Sequence, residues 1–493
     1  MRNIDLITNR ILQSRYIIPL LAFLIPIIIR TVPEILIGPY VLGFDTMGFY
    51  VPITLSWLSD GIDIFGYLSI APLFYTILIA IVDAGIPIII ALKVISPLLL
   101  GVLGFSIYYY AHKGLGWSST KGLATALLGT LYFVSLRISW DMLRNELGLI
   151  FLFIVLTLLT LSKNGSWKQY ILLSLAMISV IVSHQLVSVI MLGIVLFTVV
   201  YGVYRKAFSR ALYLIIASFP SVIFFFVVYF SSTVLPSGFQ NYAFSAESPL
   251  ANWLGFPTYQ SMLLSEGGFF LYCYLPLLPL AIVSLKKLAD FQLRSWLLLS
   301  LILLLIPFAF VSPFRWLLIL IYPLAFYVIE ALSRLKLTKW KHSKFTIRKL
   351  VILYLVISTS FLSLGYLISQ PETPFVYFNP QYLNYYSNQI PTSMLQNTIS
   401  PMDFQGTINA LQWFKNNVTG NATLLTHTVF YGWALLTINN YQLRDYGFSD
   451  PSEAAALVKT TGLSPIYLIW WINGEGSEKS LDLNLPVGTL RQC

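Results

Sequence analysis

Charge is scarce in this chain. Asp, Glu, Lys and Arg make up 10% of its 493 residues, where a soluble domain has about a quarter. Apolar stretches near membrane-spanning length recur from Ile11 to Ser369, more than a water-soluble core can bury. Cysteine is scarcer still: Cys273 and Cys493 are the whole supply, which excludes a disulfide framework. A Cys273–Cys493 bridge is open if both face outside; otherwise they are two unrelated thiols. No phosphate loop, HExxH zinc motif, CxxC pair or Gly-x-Ser-x-Gly elbow occurs, which removes those chemistries. Low-complexity tracts and internal repeats are also missing. No cleavable signal is evident, because the first apolar run, Tyr16 to Ile29, ends in Arg30-Thr-Val-Pro instead of small residues.

What is present is hydrophobic: 57% of the residues, with a mean hydropathy of +0.76. Runs of bilayer-compatible length predict about eleven spans, centred on 11–29, 87–110, 123–136, 147–161, 170–183, 186–203, 212–230, 269–285, 296–311, 316–332 and 350–368. The formal charge of +10 suggests nucleic acid at first, but the placement of the charges explains it better. With a cytoplasmic N-terminus, the inner loops hold roughly two-thirds of all Lys and Arg, including Arg205-Lys206, Lys286-Lys287 and the 333–349 loop, as the positive-inside bias requires. All but three of the 20 acids then fall outside. The apolar run Ala71–Val82 is read as an interfacial or re-entrant helix on the outer face, since counting it as a span would turn the basic loops outward. The chain is thus expected to be an integral membrane protein, of the plasma membrane, with no nucleic-acid partner.

From Gln370 the composition turns to Asn, Thr, Ser, Gly and Pro. An amphipathic helix is expected over 403–414, buried strands at 422–425 and 465–471, and a further helix over 451–460. This predicts two domains, a membrane domain over 1–369 and a small extracytoplasmic α/β domain over 370–493. The sequons at Asn417 and Asn421 suit an outside tail; a third at Asn164 falls in an expected inner loop.

Polar side chains gather at the outer ends of the spans. In Gly43-Phe-Asp-Thr-Met-Gly-Phe-Tyr50, Asp45 stands between glycines and aromatics. It reads as a general base or metal ligand, or as the cap of a helix starting near Thr46. In 136–146, Arg137, Asp141 and Arg144 share a helical face. Asp141 and Glu146 could join Asp45 around a divalent cation such as Mg or Mn, and Arg137 or Arg144 could hold a phosphate; an ion-paired turn is the structural reading. Arg315, in Ser312-Pro-Phe-Arg-Trp316, suits a lipid-linked phosphate, or snorkels beside an aromatic belt residue. Lys93, inside a span near its outer end, could pair with Asp83, touch a lipid phosphate, or snorkel. His184, in Ser183-His-Gln, reads as a hydrogen-bonded turn residue or as a catalyst or ligand.

The order of these features resembles the glycosyltransferase C (GT-C) superfamily, polytopic enzymes that use lipid-phosphate-linked sugars. The resemblance runs through the acidic first loop at Asp45, the helix opening Ala71-Pro-Leu-Phe-Tyr75, a short basic inner loop at 111–121, the Arg-and-acid loop 137–146, a late span beginning at Arg315, and a small outer domain. The tail opening, Ile408-Asn-Ala-Leu-Gln-Trp-Phe-Lys-Asn-Asn417, is similar to tails of archaeal members. The resemblance implies a GT-C-like helical bundle and a polyprenyl-phosphate sugar donor, dolichyl phosphate among such carriers. It gives Asp45 the part of base or metal ligand, extends that part to the second-loop acids Asp141 and Glu146, and gives Arg315 the donor phosphate; Arg137 and Lys93 are further phosphate candidates from the residues themselves. The acceptor is a glycan or protein. Two departures stand out. The acceptor motif Trp-Trp-Asp of oligosaccharyltransferase is replaced by Thr426-His-Thr-Val-Phe-Tyr-Gly-Trp433, and the Asp-Glu pair of protein O-mannosyltransferases by Asp45-Thr46. The rival classes are a transporter or lipid flippase, whose polar sites lie at the midplane with repeat symmetry, and a non-catalytic scaffold with a partner-binding tail.

Overall fold

The computed structural model describes residues 16–161 except 63, 166–229, 259–305 except 287 and 289, 313–335 and 347–369. In the tail it describes chiefly 403–418, 422–438, 443–445 and 465–469, with isolated positions between. Seven helices in it are long and apolar enough to cross a membrane, or up to nine if each of two bent pairs is one span.

The chain divides into two compact units: residues 1–32, 63–74 and 95–367, and residues 33–62, 75–94 and 368–493. Several helices pass from one to the other. These are α1 (Ile17–Leu36), α4 (Leu73–Asp83) and α5 (Ile88–Tyr109), the last continued by a π-helical turn, Tyr110–Gly114. The remaining helices before the tail are α2 (Val51–Asp60), α3 (Ile64–Ser69), α6 (Ser119–Leu131), α7 (Phe133–Asp141), α8 (Leu143–Leu161), α9 (Trp167–Ser183), α10 (Gln185–Tyr204), α11 (Phe208–Tyr229), α12 (Tyr259–Tyr274), α13 (Leu278–Ser284), α14 (Phe291–Leu305), α15 (Pro313–Leu318), α16 (Ile321–Arg334) and α17 (Ile347–Ile368).

Of the expected eleven spans, the described residues contain seven to nine candidates. Helix α9 has 17 residues, a reach of about 26 Å at 1.5 Å per residue against a hydrocarbon core of about 30 Å; the expected span at 296–311 lies partly outside the described residues. The expected spans at 123–136 and 269–285 are each broken. Helices α6 and α7 meet at 60°, where Tyr132 turns to extended backbone (ψ 141°), and the α12–α13 pair bends by 91° around Pro276. Helix α4, at 11 residues, is too short to span.

In the first unit the core is aromatic. Phe153 of α8 lies 5.8 Å from Trp296, 6.2 Å from Tyr322 and 6.1 Å from Phe326 between ring centroids, and Tyr110 lies 5.4 Å from Phe326. The 18-residue apolar stretch within Arg315–Arg334 is 94% buried. Helices α11 and α17 leave most of their apolar surface uncovered instead, as lipid-facing helices do.

The described tail, in the second unit, contains helix α18 (Phe404–Asn417), strand β1 (Thr423–Thr426), helix α19 (Thr428–Leu435) and strands β2 (Leu443–Asp445) and β3 (Ile466–Leu468). They form a parallel sheet of order β2-β1-β3, with Leu424 opposite Leu443 and Tyr467. Central β1 is buried along its length, as a parallel strand covered on both faces is. Phe414 of α18 packs edge-on to Tyr467 at 5.4 Å. The helix expected at 451–460 and Trp470-Trp471 lie mostly outside the described residues, as do Cys493, Asn164 and Asn421. Cys273 is a buried free thiol.

Candidate functional site

Asp45 lies where α1 has given way to an irregular segment and the chain re-enters helix. Gly43 takes φ +100°, which an L side chain rarely adopts, and so aims the following residues. Asp45 then has helical backbone angles (φ −61°, ψ −26°) and makes no side-chain capping bond. It opens a π-helical turn, Thr46–Tyr50, a geometry found often at functional sites. The carboxyl is half-buried, while Thr46, Met47 and Tyr50 beside it are buried. The helix-cap account of Asp45 is therefore not what the backbone shows.

The same unit closes tightly over this turn. A Cβ added to Gly432 of α19 would meet the Met47 carbonyl oxygen and come within 2.9 Å of its carbon. Tyr40 donates to Gln405 Oε1 at 2.6 Å and packs on Phe404 at 5.2 Å and Trp433 at 6.2 Å. Trp433 Nε1 donates to Thr398 Oγ1 at 3.0 Å. At the start of α19, His427 Nδ1 accepts from Val429 N at 3.2 Å and caps the helix. Burial pushes the His427 imidazole down to about 4. The stretch 426–433 is thus the element that seats the Asp45 turn.

Lys93, also in this unit, donates to the carbonyl oxygens of Glu34 (2.5 Å), Gly38 (2.8 Å) and Tyr40 (2.7 Å). An ammonium has three N–H donors, so these bonds account for them; they close the C-terminus of α1. Its acid neighbour is Glu34 at 3.7 Å, not Asp83, which is exposed.

In the first unit the charges of 137–146 are drawn inward. Arg137 and Asp141 form an ion pair with both side chains almost fully buried. Arg30 donates from Nε to the Ser139 carbonyl at 3.1 Å and from Nη2 to the Trp140 carbonyl at 3.4 Å, its guanidinium 5.8 Å from the Trp140 ring. It satisfies the C-terminus of α7, where a cation is favoured. Arg144 donates to the Ile70 carbonyl. Glu146 is fully buried in the first turn of α8, with neither carboxyl oxygen hydrogen-bonded among the described residues, and the charge of Arg30 acts on it. His184 caps α10, its Nδ1 accepting from Leu186 N at 3.2 Å, and the charges of Arg144 and Arg315 both act on its ring. Arg315 is half-buried on α15.

Of the expected residues, Arg137 and Asp141 are brought together, and the charges of Arg144 and Arg315 both act on His184. Among the described residues no three His, Cys, Asp or Glu side chains form a set that could hold a metal ion. Sequence reasoning passed over Arg30 and Glu34. Their signal was there: two charges inside an otherwise apolar span-length segment, which in a membrane protein point to a function or a structural pairing.

No family model and no curated protein matches the chain. Among solved structures, it resembles the crystal structure of ArnT from Cupriavidus metallidurans bound to undecaprenyl phosphate. The TM-score is 0.51 at 13% sequence identity, over 91% of this chain and 89% of that one. The chain therefore shares its fold with ArnT. At that identity the likeness carries the fold and not the residue roles, and it gives no support to an archaeal branch.

Proposed function

We propose that the chain is a membrane glycosyltransferase that takes a sugar from a polyprenyl-phosphate donor and passes it to an acceptor at the outer face of the membrane. The observation that carries the reading is the Asp45 turn, a half-buried carboxylate on a π-helical turn, seated by α19, in a chain that shares its fold with ArnT. The undecaprenyl phosphate bound to ArnT supports a lipid-phosphate donor here.

In this reading Asp45 takes the proton from the acceptor hydroxyl as that oxygen attacks the anomeric carbon. The bond from that carbon to the phosphate oxygen breaks, and the polyprenyl phosphate leaves with its electron pair. Arg315 holds the phosphate and offsets its growing charge, which a guanidinium fork does with two parallel hydrogen bonds. Arg137, ion-paired with Asp141, and Lys93, bonded to the end of α1, have these structural partners as well. The groove between the first outer segment and the tail holds the acceptor, with the 426–433 stretch in the place of an acceptor motif. The sidedness comes from the charge bias of the loops. Purified protein in liposomes tests the reading: it should release polyprenyl phosphate from a lipid-phosphate-linked sugar when cell-envelope glycan or protein is supplied. Failure to bind or turn over any such donor would refute it.

A further inference from the structure

Two apolar grooves flank the N-terminus of α6. One, of about 810 Å³, is walled by Leu20 and Phe23 of α1 and Phe105 of α5, and ends at His112, Lys113 and Ser118–Thr120. The other, of about 650 Å³, is walled by Leu127 and Leu131 of α6 and Leu355 of α17, and ends at Lys121 and Arg348. Ser118 and Thr120 line both, so one polar rim joins two apolar troughs.

The rim is built for an anion. No Asp or Glu lines either groove. Lys113 is exposed and has no ion pair among the described residues. Lys121 is paired with Glu330, but Glu330 also holds Arg334, so that trio keeps a positive charge. Ser118 caps α6 by accepting from Lys121 N at 3.4 Å, and the free amides of the first turn add the positive end of the helix dipole. The walls, in contrast, belong to membrane helices with exposed apolar neighbours, Leu20 at 51% and Val356 at 55%.

We propose that this rim binds the headgroup of an anionic two-chain phospholipid, with one acyl chain in each groove. Basic pockets between membrane helices take such headgroups. A single-chain polyprenyl phosphate fills one trough and leaves the other empty, and a zwitterionic lipid brings no net charge to the rim. On the sidedness proposed above the lipid comes from the cytoplasmic leaflet, away from the donor chemistry; the binding itself does not depend on that reading.

Photo-crosslinking of the full chain in phosphatidylcholine nanodiscs tests this, using phosphatidylglycerol with a diazirine on its acyl chain. Adducts should map to both walls, near Phe105 and near Leu355. Unlabelled phosphatidylglycerol should compete and phosphatidylcholine should not. The double variant Lys113→Ala, Arg348→Ala should cut labelling on the order of tenfold while its melting temperature stays at the wild-type value. Equal labelling by a phosphatidylcholine probe would mean bulk lipid and overturn the proposal. So would stronger competition by undecaprenyl phosphate than by phosphatidylglycerol. Labelling that appears only when residues 1–15 are deleted would make the chain's own segment the occupant, with the same consequence.

Discussion

At the scale of single residues, the chain separates charges that hold structure from charges left to act. Lys93 closes the end of α1, Arg30 the end of α7, and Arg137 neutralises Asp141. Arg315 is half-buried, its charge acts on His184 as that of Arg144 does, and it is the proposed phosphate ligand. Arg315→Lys keeps the charge but loses the fork, so donor affinity should fall by about tenfold, and further in Arg315→Ala. Donor titration of the three proteins checks the order, and an Arg315→Ala protein that binds donor like wild type removes the role. His427 gives a pH prediction. Its imidazole, at about 4 when folded, takes up a proton near 6.5 once unfolded. The stabilisation is therefore complete above pH 6.5 and is lost as pH falls towards 4. His427→Asn, which can still cap α19, should flatten the pH dependence of tail melting between those values. Asp45, Arg315 and the Arg137–Asp141 face could be picked from sequence because acids and arginines are rare near span ends. Arg30 was passed over because it was read as the end of a span that in fact runs on to Leu36.

At the scale of elements, the decisive contact is α19 against the π-helical turn. Gly432 lets the two backbones meet at Met47. Gly432→Ala should cost about 1–3 kcal/mol, the usual range for overpacking a filled site, and should lower both melting temperature and turnover; an unchanged melt would show that the turn is not seated there. This contact was not legible beforehand. The sequence marks Gly43 and Gly48 as places of close approach, but nothing in the stretch 426–433 says which backbone Gly432 faces. Nor does residue pattern distinguish a π-turn from an α-turn, since both carry the same apolar face and differ by one residue in hydrogen-bond spacing. Helix α18 was legible, because Ile408, Leu411 and Phe414 recur at helical spacing. The expected span at 170–183 is apolar but short for a different reason: hydropathy finds apolar runs and does not measure the helix, and α9 has 17 residues.

At the scale of the whole molecule, the placement of basic residues assigns the sides of the membrane. Protease added to intact cells should cut within 370–493 and spare 333–349; the reverse pattern would invert the sidedness and move the Asp45 turn to the wrong face. The likeness to ArnT covers nine-tenths of the chain, and the central claim of the proposed function is a base on the first outer segment. The most direct measurement is release of polyprenyl phosphate from a lipid-phosphate-linked sugar by purified wild-type and Asp45→Asn proteins, each with its melting temperature. Asparagine keeps the shape and most of the hydrogen bonding but is neither basic nor charged. The account predicts an Asp45→Asn protein that melts like wild type and turns over at least about 10²-fold more slowly. An Asp45→Asn protein with full activity would contradict it.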